Sequence, residues 1–476
     1  MSVQELDPRR PTQSMISPAG ARALLQGLAV VASMLSVQAC AKSSENGSDP
    51  GASDPKATES GTPPKTSDPA ASVASGKPTE GATPSDPPAS SGQWYRAVLA
   101  AEKLPEIPLF LQLPAQGASG TGKMVNGAQE SELDASWSGK DLTIDFPLIH
   151  AAINAVVDEK GGLSGSWQVK SRSWGEAMVP FRAAPIDSPA PETRFDEKSL
   201  PGKPIDLGVG PTVWRARFPD SGVAKIEMEQ VTPGVFNATV LFPTGNVVYL
   251  SGNGRGREIR LSALIGVSIY LVVGELDAAG KTLTGKWIAG PNLAWREKFK
   301  ATRAADFDVK VTVKTAKRDQ VISMPQLAAY KGKPLIVEVG GSWCDACKHA
   351  AAALRDIYGR YHSRGLEVVS LTYEFTDDTE YNKRQAESFK KTYDLPWEVI
   401  SVDGSVEKAW EVIPQGIEGI DASGFPITLF VNRDGTIHAV HASFAGPENP
   451  KQHRRWLAEY ERQAVAIVDG KGAAKK

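Results

Sequence analysis

The sequence predicts a multidomain protein: a disordered tether, two tandem β-rich modules of barrel or sandwich type, and a C-terminal α/β domain with a mixed sheet. Three observations carry this. Residues 41 to 92 hold no Phe, Trp or Tyr and are dominated by Ser, Pro, Gly, Ala, Thr and Asp, so they lack the apolar surface to build a core. Short alternating runs between Trp94 and Ala304 repeat in order at a nearly constant offset. From Asp306 onward, strand-like and helix-like runs alternate. The 476 residues exceed one ordinary core, and 41% hydrophobic content with 53 basic against 55 acidic side chains describes a globular chain. A formal net charge of -2 offers no footprint for nucleic acid.

Taken in order, residues 1–40 read as an export signal. Arg9, Arg10 and Arg22 precede an apolar run from Leu24 to Leu35, too short for a stable membrane span, and the segment closes on Val37-Gln38-Ala39-Cys40. That ending resembles the bacterial lipobox, which implies that Cys40 becomes a lipid-bearing N-terminus. A non-lipidated signal is the alternative, and Met15 is a second candidate start. As a flexible coil the tether of residues 41–92 would span roughly 40 Å, letting the folded part patrol the space near a membrane.

The first β-rich module is placed at residues 93–185 and the second at 211–304, with the Pro-rich stretch 186–210 between them. Asp141-Leu142-Thr143-Ile144-Asp145-Phe146 and Gly245-Asn246-Val247-Val248-Tyr249-Leu250 are strand signals with hairpin punctuation. Trp94-Tyr95-Arg96-Ala97 recurs as Trp214-Arg215-Ala216-Arg217, and Leu163-Ser164-Gly165-Ser166-Trp167 as Leu283-Thr284-Gly285-Lys286-Trp287. Trp174 then echoes Trp295, and Phe181-Arg182-Ala183 echoes Phe299-Lys300-Ala301. The Trp residues are expected mostly in the cores, with an aromatic ligand-binding surface as the alternative. His150 is the region's only histidine, and no catalytic set is evident.

The α/β domain is placed at residues 305–468, ahead of a basic tail at 469–476. Strands are expected near 308–314, 334–340, 366–373, 397–401 and 426–432, with helices near 345–363, 378–393 and 447–467. The turn Asn432-Arg433-Asp434-Gly435 marks a hairpin that runs the last strands antiparallel. Its most informative feature is Cys344-Asp345-Ala346-Cys347, entered from the strand-like Leu335-Ile336-Val337-Glu338-Val339 and followed by a helical run. A Cys at the mouth of a helix meets unpaired N–H groups and the helix dipole, which can drop a thiol pKa from about 8.5 to roughly 3.5–7.5. A second Cys one turn on is within reach of the first. Half of a zinc site is the bland alternative. Zinc wants four ligands, whereas the chain holds three Cys, one of them Cys40. A bridge across two intervening residues would also close too small a loop to add much stability, which leaves chemistry as its use.

Trp343-Cys344-x-x-Cys347 after a buried strand, with Phe425-Pro426 opening another strand about 80 residues later, resembles the thioredoxin superfamily and, within it, the TlpA/ResA-like disulfide reductases. The likeness spans roughly Asp306 to Val468, so the α/β domain is expected to be thioredoxin-like. The resemblance implies that Cys344 is the nucleophile, that Cys347 resolves the mixed disulfide, and that Pro426 is a cis-proline lying against the pair. It also implies that the Phe425 backbone is free to bind an incoming peptide and that Trp343 shields one side. Glu338 stands where thioredoxin carries its buried acid. An unpaired carboxylate in an apolar strand is costly to bury, so its pKa should rise and suit it to accept the Cys347 proton. An edge-exposed or salt-bridged Glu is the alternative. Asp345 departs from the family's frequent proline, and its charge should raise the Cys344 pKa and favour a reductant.

The expected activity is therefore disulfide reduction, without cofactor or metal, in a lipid-anchored protein facing the periplasm. Its expected partners are disulfide-bearing exported proteins and a membrane thiol electron donor. Copper delivery through the Cys pair with His349, His438 or His441 is an alternative, although His438 and His441 lie three apart on a strand and face opposite ways. Peroxidase action lacks the Thr-x-x-Cys it would need. A last alternative makes the β modules the working part, holding a glycan or protein.

Overall fold

The computed structural model describes residues 92–146, 148–171, 175–208, 210–309, 321, 324–405 and 425–470. The segment read as an export signal, with Cys40, and nearly all of the expected tether and basic tail lie outside these residues, as do most of the strand expected near 308–314 and Trp174.

Each β-rich module closes into an eight-stranded antiparallel barrel in which sequential strands pair. The first comprises β1 (Gln93–Leu99), β2 (Ile107–Leu113), β3 (Gly120–Asn126), β4 (Gln129–Ser138), β5 (Asp141–Asp145), β6 (Ala151–Val157), β7 (Leu163–Ser171) and β8 (Gly175–Ile186). The second comprises β9 (Pro211–Phe218), β10 (Gly222–Thr232), β11 (Val235–Leu241), β12 (Val247–Arg255), β13 (Glu258–Ile265), β14 (Ser268–Leu276), β15 (Thr282–Gly290) and β16 (Trp295–Arg303). Eight strands leave an interior that side chains fill. Trp167 meets Phe146 edge-on in the first barrel, and Trp287 packs against Phe218, Phe242 and Tyr270 in the second. The repeated Gly-x-Trp has a steric reason: a Cβ at Gly165 would fall 1.9 Å from the Asn154 carbonyl oxygen, and one at Gly285 2.4 Å from that of Val273.

The pairing corrects one of the sequence echoes. Closure sets Ala97 opposite Ala183 in the first barrel and Ala216 opposite Ala301 in the second. Tyr95, not Trp94, is thus the equivalent of Trp214; both are buried, while Trp94 is only half-buried. A slip of one residue turns a side chain to the opposite face of a strand, so the likeness of the two tryptophans misleads. The stretch between the barrels is no loose linker either. Phe195, Leu200 and the Arg194 side chain are buried, and Asn253 Nδ2 donates to the Pro191 carbonyl at 2.9 Å.

The C-terminal domain is a five-stranded sheet ordered β19-β18-β17-β20-β21, formed by β17 (Leu335–Gly340), β18 (Glu367–Glu374), β19 (Glu398–Ser405), β20 (Ile427–Val431) and β21 (Ile437–Ala442). The first three run parallel, and β20 and β21 antiparallel, giving the thioredoxin-like mixed sheet that the sequence predicts. Helices α1 (Asp345–Tyr361), α2 (Thr379–Thr392) and α3 (Pro450–Val468) cover it. Among the described residues no helix is long and apolar enough to cross a membrane.

A candidate dithiol–disulfide site

β17 is the central strand, buried along its whole length, and it delivers the chain to Cys344 at the N-cap of α1. Cys344 and Cys347 are joined as a disulfide. The Cys347 backbone N–H donates to Cys344 Sγ at 3.2 Å, the contact an N-cap oxygen would otherwise make. The pair is largely enclosed, with Cys344 5% and Cys347 2% exposed. The Phe425–Pro426 peptide bond is cis. Trp343 packs against Phe375 and meets Phe425 edge-on, with ring centroids 4.4 and 5.7 Å apart, and its Nε1 donates to the Tyr373 carbonyl at 2.8 Å.

Gly340 locates the second sulfur relative to the acid. A Cβ there would lie 2.5 Å from Cys347 Sγ, so this sulfur sits where the side chain of residue 340 would be. Glu338 is two residues back and therefore on the same face of β17. It is buried rather than at an edge, and the described residues offer it no ion pair. Ser370 Oγ donates to its Oε2 at 2.8 Å, and Oε1 has no hydrogen-bond partner among the described residues. Burial outweighs the Ser370 bond and pushes its pKa up to about 7.

Two features escape the sequence. Glu374, buried at the end of β18, accepts from the Ser342 N–H at 3.0 Å and Ser342 Oγ at 2.9 Å, tying down the loop before Cys344. Burial pushes its pKa too up to about 7. In sequence it is one acid among many, because only strand pairing brings it under that loop. The other is the setting of Asp345, whose charge is not left bare beside Cys344. Gln129 from the first barrel donates to Asp345 Oδ2 at 2.8 Å, while Lys348 Nζ and His349 Nε2 stand 3.8 and 3.7 Å away. Burial opposes ionisation, but His349, Lys348 and Gln129 outweigh it and hold Asp345 at about 2. Burial likewise disfavours a charged His349, but Asp345 and Glu448 outweigh it and raise its pKa. These partners offset the charge expected to work on Cys344.

The copper set does not come together. His441 lies 3.5 Å from Glu459 and packs on Phe430 and Tyr460, and among the described residues no group of three or more His, Cys, Asp or Glu side chains is placed to hold a metal ion.

Residues 301–440 match the AhpC/TSA family. The thiol-disulfide oxidoreductase ResA of Bacillus thuringiensis subsp. konkukian is 27% identical over 113 residues, 24% of this chain and 56% of ResA. The chloroplastic peroxiredoxin Q of Suaeda salsa is 30% identical over 133 residues, 28% of this chain and 58% of that protein. The chain thus spans little more than half the length of these curated relatives. A solved thiol:disulfide interchange protein of Chlorobium tepidum is 16% identical, aligned over 34% of this chain and 99% of its own, with a TM-score of 0.23.

Proposed function

Because the C-terminal part of the chain is a TlpA/ResA-like thioredoxin-fold domain, we propose that the protein is an exported thiol-disulfide oxidoreductase that reduces disulfides of envelope proteins through Cys344 and Cys347. The observation that carries this is the disulfide at the N-terminus of α1, beside the cis Phe425–Pro426 bond and above a buried carboxyl on the same face of β17. In the reduced protein the Cys344 thiolate, favoured by the helix dipole and the Cys347 N–H, attacks one sulfur of a client disulfide. A mixed disulfide forms and one client thiolate leaves. Glu338 accepts the Cys347 proton, directly or through one water, and its pKa near 7 suits it to both states of that transfer. Cys347 then displaces the second client thiolate from Cys344. The client gains two electrons and the protein holds the disulfide of the present structure.

Trp343 and Phe425 flank the approach to Cys344, and the family resemblance gives Pro426 the place against the pair. Lipid on Cys40 would keep the domain on the periplasmic side of a membrane, where a membrane thiol donor re-reduces the pair. The peroxiredoxin likeness does not favour peroxide chemistry, since Gly341 stands where Thr-x-x-Cys would need threonine. Replacing Cys347 with Ala tests the proposal. Clients should accumulate on Cys344 as mixed disulfides that dithiothreitol releases, and a Cys344→Ala/Cys347→Ala chain should capture none. Equal capture by both chains would overturn it.

A further inference from the structure

Cys344 opens into a cleft of about 540 Å³, and the far wall of that cleft belongs to the second barrel. Tyr249, Tyr270, Pro291 and Trp295 face the sulfur, Trp343 and Phe425 across it. We propose that this barrel wall is a client-binding surface, which takes a short, extended, uncharged segment with aromatic or aliphatic residues next to its cysteine. This deepens the thiol-exchange reading and rests on it.

Access comes first. At 5% exposure Cys344 cannot meet a disulfide lying flat on a folded surface, whereas a cleft of this size accepts a few residues of free chain. The chemistry of the lining selects among such occupants. Among the described residues it contains no Lys or Arg; its charged groups are Asp345, Glu448 and His349, which already face one another, with His349 Nε2 3.7 and 3.8 Å from the two carboxylates. A carboxylate-rich small disulfide or an acidic peptide would meet no free cation here and two like charges. Aromatic walls with amide and hydroxyl groups suit a neutral peptide.

The barrel side is also built to hold its shape. Trp295 is 54% exposed, the sole aromatic among the strongly exposed large apolar side chains of the described residues, and it stands at this cleft. The turn before it keeps Leu293 fully buried in a left-handed conformation, φ 58°, and its Asn292 Oδ1 accepts from the Ala294 N–H at 3.1 Å. A non-glycine residue held there is strained and persists only where its surroundings fix it. The rigid turn keeps an exposed indole in place beside a reactive sulfur.

The test is fluorescence anisotropy with the oxidised full chain and a labelled ten-residue peptide that carries Ser for Cys between Phe and Leu. Saturable binding is expected, tenfold or more weaker for Trp295→Ala, largely restored in Trp295→Phe, and unchanged for Met178→Ala, a still more exposed apolar site on the other barrel. A peptide with Asp in place of Phe and Leu should bind at least tenfold more weakly, and a folded protein carrying the same residues in a rigid hairpin should not compete. Equal binding of both peptides, or wild-type affinity in Trp295→Ala, would overturn the proposal. Thiol counting in a glutathione redox buffer reads the other claim separately: a Cys pair that never cycles sinks thiol exchange, whatever the peptide does.

Discussion

Glu338 couples the stability of the fold to pH. Its pKa rises from 4.5 to about 7 on folding, so between those values the folded chain binds a proton that the unfolded chain has lost. Stability contributed at this site therefore falls as pH rises from about 4.5 to 7 and stays lost above. Glu338→Gln removes the ionisation and should stabilise the oxidised protein at pH 8 by about 1–3 kcal/mol, a gain that shrinks towards pH 5 in urea unfolding followed across pH. The same variant should slow resolution of the Cys344 mixed disulfide about 10²-fold. Glu374 titrates in the same direction, so a residual slope should persist. The Cys pair was legible from its spacing at the mouth of a helix, whereas a cis bond at Pro426 was implied only by the family resemblance. Glu374 and the partners of Asp345 were not legible, since Gln129 reaches Asp345 from 216 residues away.

At the scale of elements, the junction of β17 and α1 depends on a side chain that is missing. Gly340→Ala would drive a methyl group towards Cys347 Sγ, 2.5 Å from the ideal Cβ position. The expected cost is about 1–3 kcal/mol in chemical denaturation, with slower closure of the disulfide in a stopped-flow oxidation assay. Strand and helix periods revealed most elements, and Asp434-Gly435 revealed the β20–β21 turn. Register was harder to read: the Trp94 and Trp214 likeness is one residue out because tryptophan is tolerated on either face of a barrel strand, whereas the alternation of Tyr95 and Ala97 with their neighbours follows burial.

Across the whole molecule, the second barrel and the C-terminal domain share a buried charge. Lys225 Nζ lies 2.7 Å from Glu227 and also pairs with Asp306, while Glu227 accepts from Asn449 Nδ2 at 2.8 Å and Gln452 Nε2 at 2.9 Å at the start of α3. Lys225→Met would take from Glu227 its buried ion-pair partner, leaving the Asn449 and Gln452 bonds and Lys451 Nζ at 3.5 Å, and should cost about 1.5–3 kcal/mol in urea unfolding, most of it recovered in Lys225→Met/Glu227→Gln. Nothing in the sequence marks Lys225 or Glu227, because a lone charge in a strand reads as solvated until the packing of modules is known. The modular order was legible in composition and repetition; how the barrels bear on the Cys pair was not.

Ring closure joins the earliest strand of each barrel to its latest: Trp94 pairs with Ile186, and Arg217 with Lys300. Neither ring can shut until its final strand has left the ribosome. A chain released before Ile186 would expose β1 as a bare edge, ready to recruit another molecule. Maturation should thus proceed ring by ring, with the sulfur pair emerging only after both are complete.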